Sequence, residues 1–191
     1  MNLHAPDVAV KDAKQALTYL KEGNKRFTSD QTMPRTTNKK DLEITSKGQK
    51  PFAAILSCAD SRTAPEIYFD QKVGDLFVCR NAGNFADPVV IGSLEFATKH
   101  LGAPLVVVVG HSMCGAVHTS FDGVKGLSAN LQAGLDAIRE HLAGSKTKEE
   151  ATEANIKAQV KKLKENPVIK EVNAEVVGAF YDIATGEVTW L

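Results

Sequence analysis

The sequence predicts an α/β fold: a central sheet of four parallel strands with an additional edge strand, helices on both faces, and an N-terminal helical arm. Three observations carry this. Apolar residues recur as short continuous blocks, "FAAILS" (52–57), "LFVC" (76–79) and "LVVVV" (105–109). Continuous runs of Val, Ile and Leu mark strands covered on both faces, the habit of parallel sheets. Helical patterns separate these runs, which is βαβαβ wiring. The chain then closes with strand, turn and strand, "AEVVGAFYD", "IATG" and "EVTWL".

Each element has its own signal. Residues 10–27 carry Ala13, Ala16, Leu17, Leu20, Asn24 and Phe27 at helical spacing, so an amphipathic helix is expected. Residues 28–50 are polar and read as a loop or arm, with Lys39 and Lys40 on a solvated face. Thr63-Ala64-Pro65 reads as a cap followed by a proline in a first helical turn. Residues 88–101 also open with proline and place Val90, Ile91, Leu94 and Leu101 on one helical face. Residues 128–143 and 147–165 read as two helices, the second begun by a capping box of Thr147 and Glu150. No repeat or linker divides the chain. Residues 1–191 are expected to form one domain, with 1–50 as helix and arm and 51–191 as the α/β core.

Composition narrows the function. The 191 residues are 43% hydrophobic and 24% charged, ordinary for a soluble globular protein. Basic and acidic residues number 23 each. Neutrality gives no support for a nucleic-acid or membrane-surface partner, and it permits self-association. No secretory signal is visible in "MNLHAPDVAVKDAK", and no apolar stretch approaches the ~20 residues of a membrane span. A cytoplasmic location is expected. Cys58, Cys79 and Cys114 are too few and scattered for a disulfide framework. They read as reduced thiols, metal ligands or core residues.

Two motifs carry chemistry. "LSCADSRTAPE" (56–66) sets Cys58, Asp60 and Arg62 at the end of a buried strand. "LVVVVGHSMCGAV" (105–117) ends another strand at Gly110, followed by His111 and Cys114. Taken singly, each residue has a plain structural reading: a packed thiol, a hydrogen-bonded histidine, a local ion pair. "GHSMCG" matches neither glycine-rich nucleotide pattern. Taken together they differ, because residues just beyond the carboxyl ends of parallel strands gather in one crevice. Two thiolates and an imidazole are three zinc ligands, and three protein ligands with one open position describe a catalytic zinc. His118, one helical turn beyond Cys114, is a further candidate ligand. Cys79 reads as core and Trp190 as packing in an edge strand. His4, His100 and His141 read as surface groups.

The chain resembles the β-class carbonic anhydrases, and its plant-like branch more than the bicarbonate-inhibited one. "GNKRF" (23–27) is similar to the family's N-terminal helix, and "CADSR" (58–62) and "GHSMCG" (110–115) to its two zinc motifs. "GDLFVCRNAGN" (74–84), "SLEFATKHL" (93–101) and "GAFYDIATGEVTWL" (178–191) match between and after them. The resemblance implies that Cys58, His111 and Cys114 bind zinc, with water or hydroxide as fourth ligand. It implies that Asp60 and Arg62 form a catalytic dyad, with Asp60 as the fourth ligand in a closed form. The reaction implied is reversible hydration of carbon dioxide to bicarbonate. Carbonyl sulfide or carbon disulfide hydrolysis on the same zinc is the alternative, and a non-catalytic zinc module is a third reading.

Gln49, Phe77, Phe96 and Gly115 match substrate-pocket positions of the family. Phe96 departs from it, standing where a tyrosine is common, so the ring is kept and the hydroxyl lost. Ile55 stands where the bicarbonate-inhibited branch carries tryptophan, so no such inhibitory site is expected. The resemblance also implies a homodimer or homotetramer, with the N-terminal helix packed on the partner and pocket residues shared across the interface.

Overall fold

The computed structural model describes residues 10–33 and 39–191. Five strands form one sheet: β1 (Ala53–Cys58), β2 (Leu76–Asn81), β3 (Leu105–His111), β4 (Glu175–Tyr181) and β5 (Val188–Trp190). Their order is β2-β1-β3-β4-β5. The first four run parallel, and β5 pairs antiparallel with β4 at the edge. Every residue of β1 and β3 is buried, as the continuous apolar runs require.

Side chains alternate along these strands and so feed two cores. Ala54, Leu56, Val106 and Val108 face Leu94, Ala97, Ile156 and Leu163. Ala53, Ile55, Val107 and Val109 face Ala16, Leu20, Tyr68 and Phe69. The first layer is built by α4 (Pro88–Glu95), α7 (Lys148–Glu165) and α8 (Pro167–Glu171); the second by α1 (Ala13–Thr28) and α3 (Pro65–Tyr68). Helix α6 spans Ala129–Arg139. Helix α7 lies close on the sheet because β3 supplies a glycine there. A Cβ on Gly110 would come within 2.7 Å of Ile156.

Several expectations change in detail. Residues 28–50 are not all loop, since α2 (Lys39–Thr45) lies within them. Its Leu42 and Ile44 are exposed, so it has no buried face to betray it. The helix starting at Pro88 passes at Phe96 into a π-helical turn, Phe96–His100. Thr63 does not cap α3; that position falls to Ala64, without a side-chain bond. The Thr63 hydroxyl instead donates to the carbonyls of Cys58 and Asp60, at 3.1 and 3.0 Å. Thr147 does cap α7, accepting from the Glu150 N–H, and Glu150 reaches back to the Lys146 N–H.

Helix α1 is anchored on its own chain by several contacts. Asp12 caps it, accepting from Gln15 N–H. Asn24 donates to the carbonyls of Tyr68 and Gly186 and accepts from Val188 N–H. Arg26 pairs with the buried Asp70 at 2.6 Å. Trp190 stacks on Phe69 under Lys21, which agrees with a packing role. His4 lies outside the described residues. Among those residues no helix is long and apolar enough to cross a membrane.

Candidate functional site

The sheet order places β2 on one side of β1 and β3 on the other. Such a switch of direction opens a crevice at the carboxyl ends of the two neighbouring strands. Cys58 is the last residue of β1 and His111 the last of β3, with Ser57 opposite Val109 in register. The chain then turns through Met113, held at φ 57°, and Cys114 becomes the cap of α5 (Gly115–Phe121). That turn brings Cys114 back over β1, and the two sulfurs lie 4.0 Å apart.

The donor atoms of Cys58, His111 and Cys114 all lie within 4.8 Å of one another, and all three residues are buried. His118 and Cys79 are not in the group. His111 is oriented by its own neighbour. Its Nδ1 lies 2.9 Å from the Ser112 carbonyl, which can only accept, so Nδ1 carries the proton. Nε2 is left with its lone pair, buried and without a hydrogen-bond partner in the described structure. A buried acceptor with nothing to accept from is costly, and a metal ion in the crevice would satisfy it. Ser112 is tied down in turn, its hydroxyl accepting from Ile183 N–H at 3.0 Å.

The sulfurs are electrostatically unequal. The Cys58 thiol is pushed down, first by the hydrogen bond from Cys114 and further by the N–H groups of Gly83 and Asp60, against burial. Cys114 is pushed up, because its proton is shared toward Cys58 and because it is buried. A cation entering between the two sulfurs would draw both as thiolates. Two thiolates and a neutral imidazole suit zinc, with one coordination position left open.

Asp60 and Arg62 stand beside this group. Arg62 Nε and its backbone N–H each donate to Asp60 Oδ1 at 2.9 Å, and Nη2 donates to Oδ2 at 2.7 Å. This grip holds the Asp60 carboxyl well below the usual carboxylate range. Arg62 also reaches the Met113 carbonyl at 3.4 Å, linking the two motifs. Arg80, which sequence reasoning passed over, donates to the carbonyls of Cys58 and Asp60 at 2.9 and 2.7 Å. Gly83 was missed as well, although its N–H meets Cys58 Sγ at 3.3 Å. Only the run "CRNAGN", rich in turn formers after a strand, hinted that backbone would come close there.

The four pocket candidates divide. Gly115 is exposed beside Cys114, and a Cβ on it would meet nothing within 4 Å. Gln49 precedes the opposite end of β1 and lines a cavity of about 420 Å³ with Ile44, Phe52, Val73 and Pro104. One chain therefore does not bring Gln49 to the donor group. Phe77 lies beside Ala54 in register, within a different core cluster from Cys58, and its ring is 6.3 Å from that of Phe96. Phe96 is 46% exposed and also touches His100.

Comparison with known proteins agrees with this arrangement. A family model described as carbonic anhydrase matches residues 53–188. Carbonic anhydrase 2 of Mycobacterium tuberculosis is 46% identical over 105 residues, which is 55% of this chain and 51% of that protein. The chain thus spans about half the length of the first curated relatives it matches. Among solved structures, the β-carbonic anhydrase CafA of Aspergillus fumigatus superposes with a TM-score of 0.72 at 30% identity, covering 93% of this chain and 89% of that one. A tetrameric β-carbonic anhydrase of Sordaria macrospora gives 0.70 at 28% identity, covering 78% and 85%.

Proposed function

Because the chain belongs to the β-class carbonic anhydrase family, we propose that it catalyses the reversible hydration of carbon dioxide to bicarbonate and a proton. Support comes from one juxtaposition. Three buried soft donors converge within 4.8 Å, and a carboxylate held back by an arginine stands next to them. A purely structural zinc needs no such pair.

Cys58 Sγ, His111 Nε2 and Cys114 Sγ would hold the metal. Zinc, when bound, lowers the pKa of water from about 15.7 to about 7 and so supplies a nucleophile at neutral pH. Asp60, an acceptor beside the donor group, would orient a water in the crevice toward the carbon of the substrate. Arg62 occupies both Asp60 oxygens and so would hold the carboxylate back from the donor group. Gly115 leaves room at the mouth for a small linear molecule.

Gln49, Phe77 and Phe96 then serve the pocket of a neighbouring subunit, since their own chain does not carry Gln49 to the donors. A homodimer is the unit this requires, or a tetramer built from two such dimers; the Sordaria relative is tetrameric. Residues 1–191 act as one domain, in the cytoplasm, and Ile55 in the buried β1 accords with the plant-like branch.

The test is stopped-flow carbon dioxide hydration by the zinc-loaded chain, with sulfide release from carbonyl sulfide measured in parallel. Hydration should vanish on metal removal and return with zinc, and sulfide release should be minor. No hydration above buffer at one zinc per chain, or faster turnover of carbonyl sulfide, would overturn the assignment. Full activity in a monomer at assay concentration would overturn the shared pocket.

A further inference from the structure

The sulfur of Cys58 accepts two backbone N–H groups of different origin. Asp60 N–H, at 3.4 Å, is only two residues along the chain. Gly83 N–H, at 3.3 Å, belongs to the loop after β2 and has no local tie to Cys58. Something must hold that loop against the sulfur, and the polar groups around it show what does.

The Gly83 carbonyl accepts from Asn155 Nδ2 at 2.9 Å. Asn155 Oδ1 accepts from Gln159 Nε2 at 3.0 Å, and Gln159 Oε1 accepts from Ala86 N–H at 3.0 Å. Lys162 Nζ donates to the Ala86 carbonyl at 2.7 Å. The three side chains sit on one face of α7, at successive turns. Asn155 is 0% and Gln159 1% exposed. A buried amide costs free energy unless its hydrogen bonds are made, so two of them side by side are an expensive way to pack a helix. Apolar side chains of similar volume would fill the space as well. The loop is also closely enclosed: a Cβ on Gly83 would come within 2.4 Å of Ile138. The chain of bonds runs from the interior of α7 to Cys58 Sγ without a break.

We propose that Asn155, supported by Gln159, is a positioning residue of the metal centre. It sets the Gly83 N–H against Cys58 Sγ and so fixes the direction and the electron density of that sulfur. Neither residue touches a donor atom itself. The inference rests on the reading of Cys58 as a metal ligand. An N–H donor on a thiolate draws off part of its charge and selects which lone pair faces the metal. Losing it leaves a ligand that is free to turn. Partners of this kind change metal affinity about 10–100-fold when removed.

The test compares the full chain with Asn155→Leu, which keeps the volume and removes the amide, and with Gln159→Met. Leu163→Ala is the control, since Leu163 is buried on the same helix but in the apolar core. Three quantities are read: zinc release to a chromogenic chelator, the sulfur-to-metal charge-transfer band of the cobalt-substituted protein, and the urea midpoint. Asn155→Leu should release zinc about 10–100-fold faster and shift the cobalt band. Gln159→Met should move both in the same direction by less, and it carries the test alone should Asn155→Leu fail to fold. Leu163→Ala should lower the urea midpoint and leave release and band as in the parent. Unchanged release and band in the folded amide variants would overturn the inference while leaving the metal assignment standing. So would a Leu163→Ala that loosens zinc equally. A parent chain that binds no zinc would overturn both.

Discussion

Arg62 grips Asp60 on both carboxylate oxygens, at 2.9 and 2.7 Å, while the Asp60 backbone N–H points at Cys58 Sγ. The carboxylate is thus tethered next to a candidate metal ligand and turned away at the same time. Arg62 is half exposed, so water screens the pair and its contribution to folding is small. Its value lies in where it keeps the carboxylate.

Arg62→Ala therefore releases Asp60 rather than unfolding the chain. A carboxylate is a competent zinc ligand, and only the backbone N–H of residue 62 would still hold Oδ1. Activity should collapse while zinc stays near one per chain, with Asp60 as the fourth ligand. Arg62→Ala combined with Asp60→Asn should reopen the site but remain slow, because a neutral amide accepts more weakly. A crystal structure of the single variant near pH 8 checks this. Asp60 still turned away, with normal turnover, would refute the gate.

Asp60 also predicts what pH will not do. Its carboxyl lies below the usual range, chiefly through the hydrogen bonds from Arg62. A depressed folded pKa contributes stability above the unfolded value of about 3.9, and that contribution is lost as pH falls through the folded value. Between neutral pH and about pH 5 the Asp60 charge is constant. A carbon-13 NMR titration of the Asp60 carboxyl in the metal-free chain should show no inflection at about pH 3.9, where an ordinary aspartate titrates. An inflection there would mean that Arg62 does not hold it.

Much of this was legible in the sequence, because the informative elements are buried. Strands β1, β2 and β3 begin within a residue of their apolar runs, since continuous Val, Ile and Leu have no other use in a covered sheet. Cys58, His111 and Cys114 were readable for a related reason: strand ends converge whatever the intervening sequence. Helix α2 was not readable, as Leu42 and Ile44 face outward and leave no periodic signal. Helix α8 was missed although Asn166, which accepts from Val168 and Ile169 N–H, and Pro167 after it spell out a helix start. Gly83 and Asn155 were out of reach, because their meeting depends on how α7 docks and not on any local pattern. Gln49 matched by motif yet lies at the far end of β1, away from the donor group of its own chain.

Metal content should follow the geometry among the cysteines. Cys58→Ala or Cys114→Ala should lose most bound zinc and nearly all hydration activity. Cys79→Ala should keep both, since Cys79 is outside the donor group and burial pushes its thiol up, away from the thiolate a metal needs. Metal analysis of the three purified variants decides it. Zinc loss in the Cys79 variant alone would mean that a different thiol set holds the metal.

The docking of α1 can be tested apart from the metal. Asn24→Ala leaves the carbonyls of Tyr68 and Gly186 and the N–H of Val188 without their partner. The cost should be about 1–3 kcal/mol in urea unfolding. Zinc per chain should not change, because none of these groups contacts the donor set. A loss of zinc at unchanged stability would place α1 in the metal site rather than in the core.

X-ray absorption at the zinc edge of the unaltered chain tests the central claim most directly. Cys58, His111 and Cys114 predict two sulfur donors and one imidazole in the first coordination shell, with sulfur at about 2.3 Å, and one light atom completing the set. The same spectrum should be given by Cys79→Ala. A shell with three sulfurs, with one, or with no imidazole would contradict the assignment.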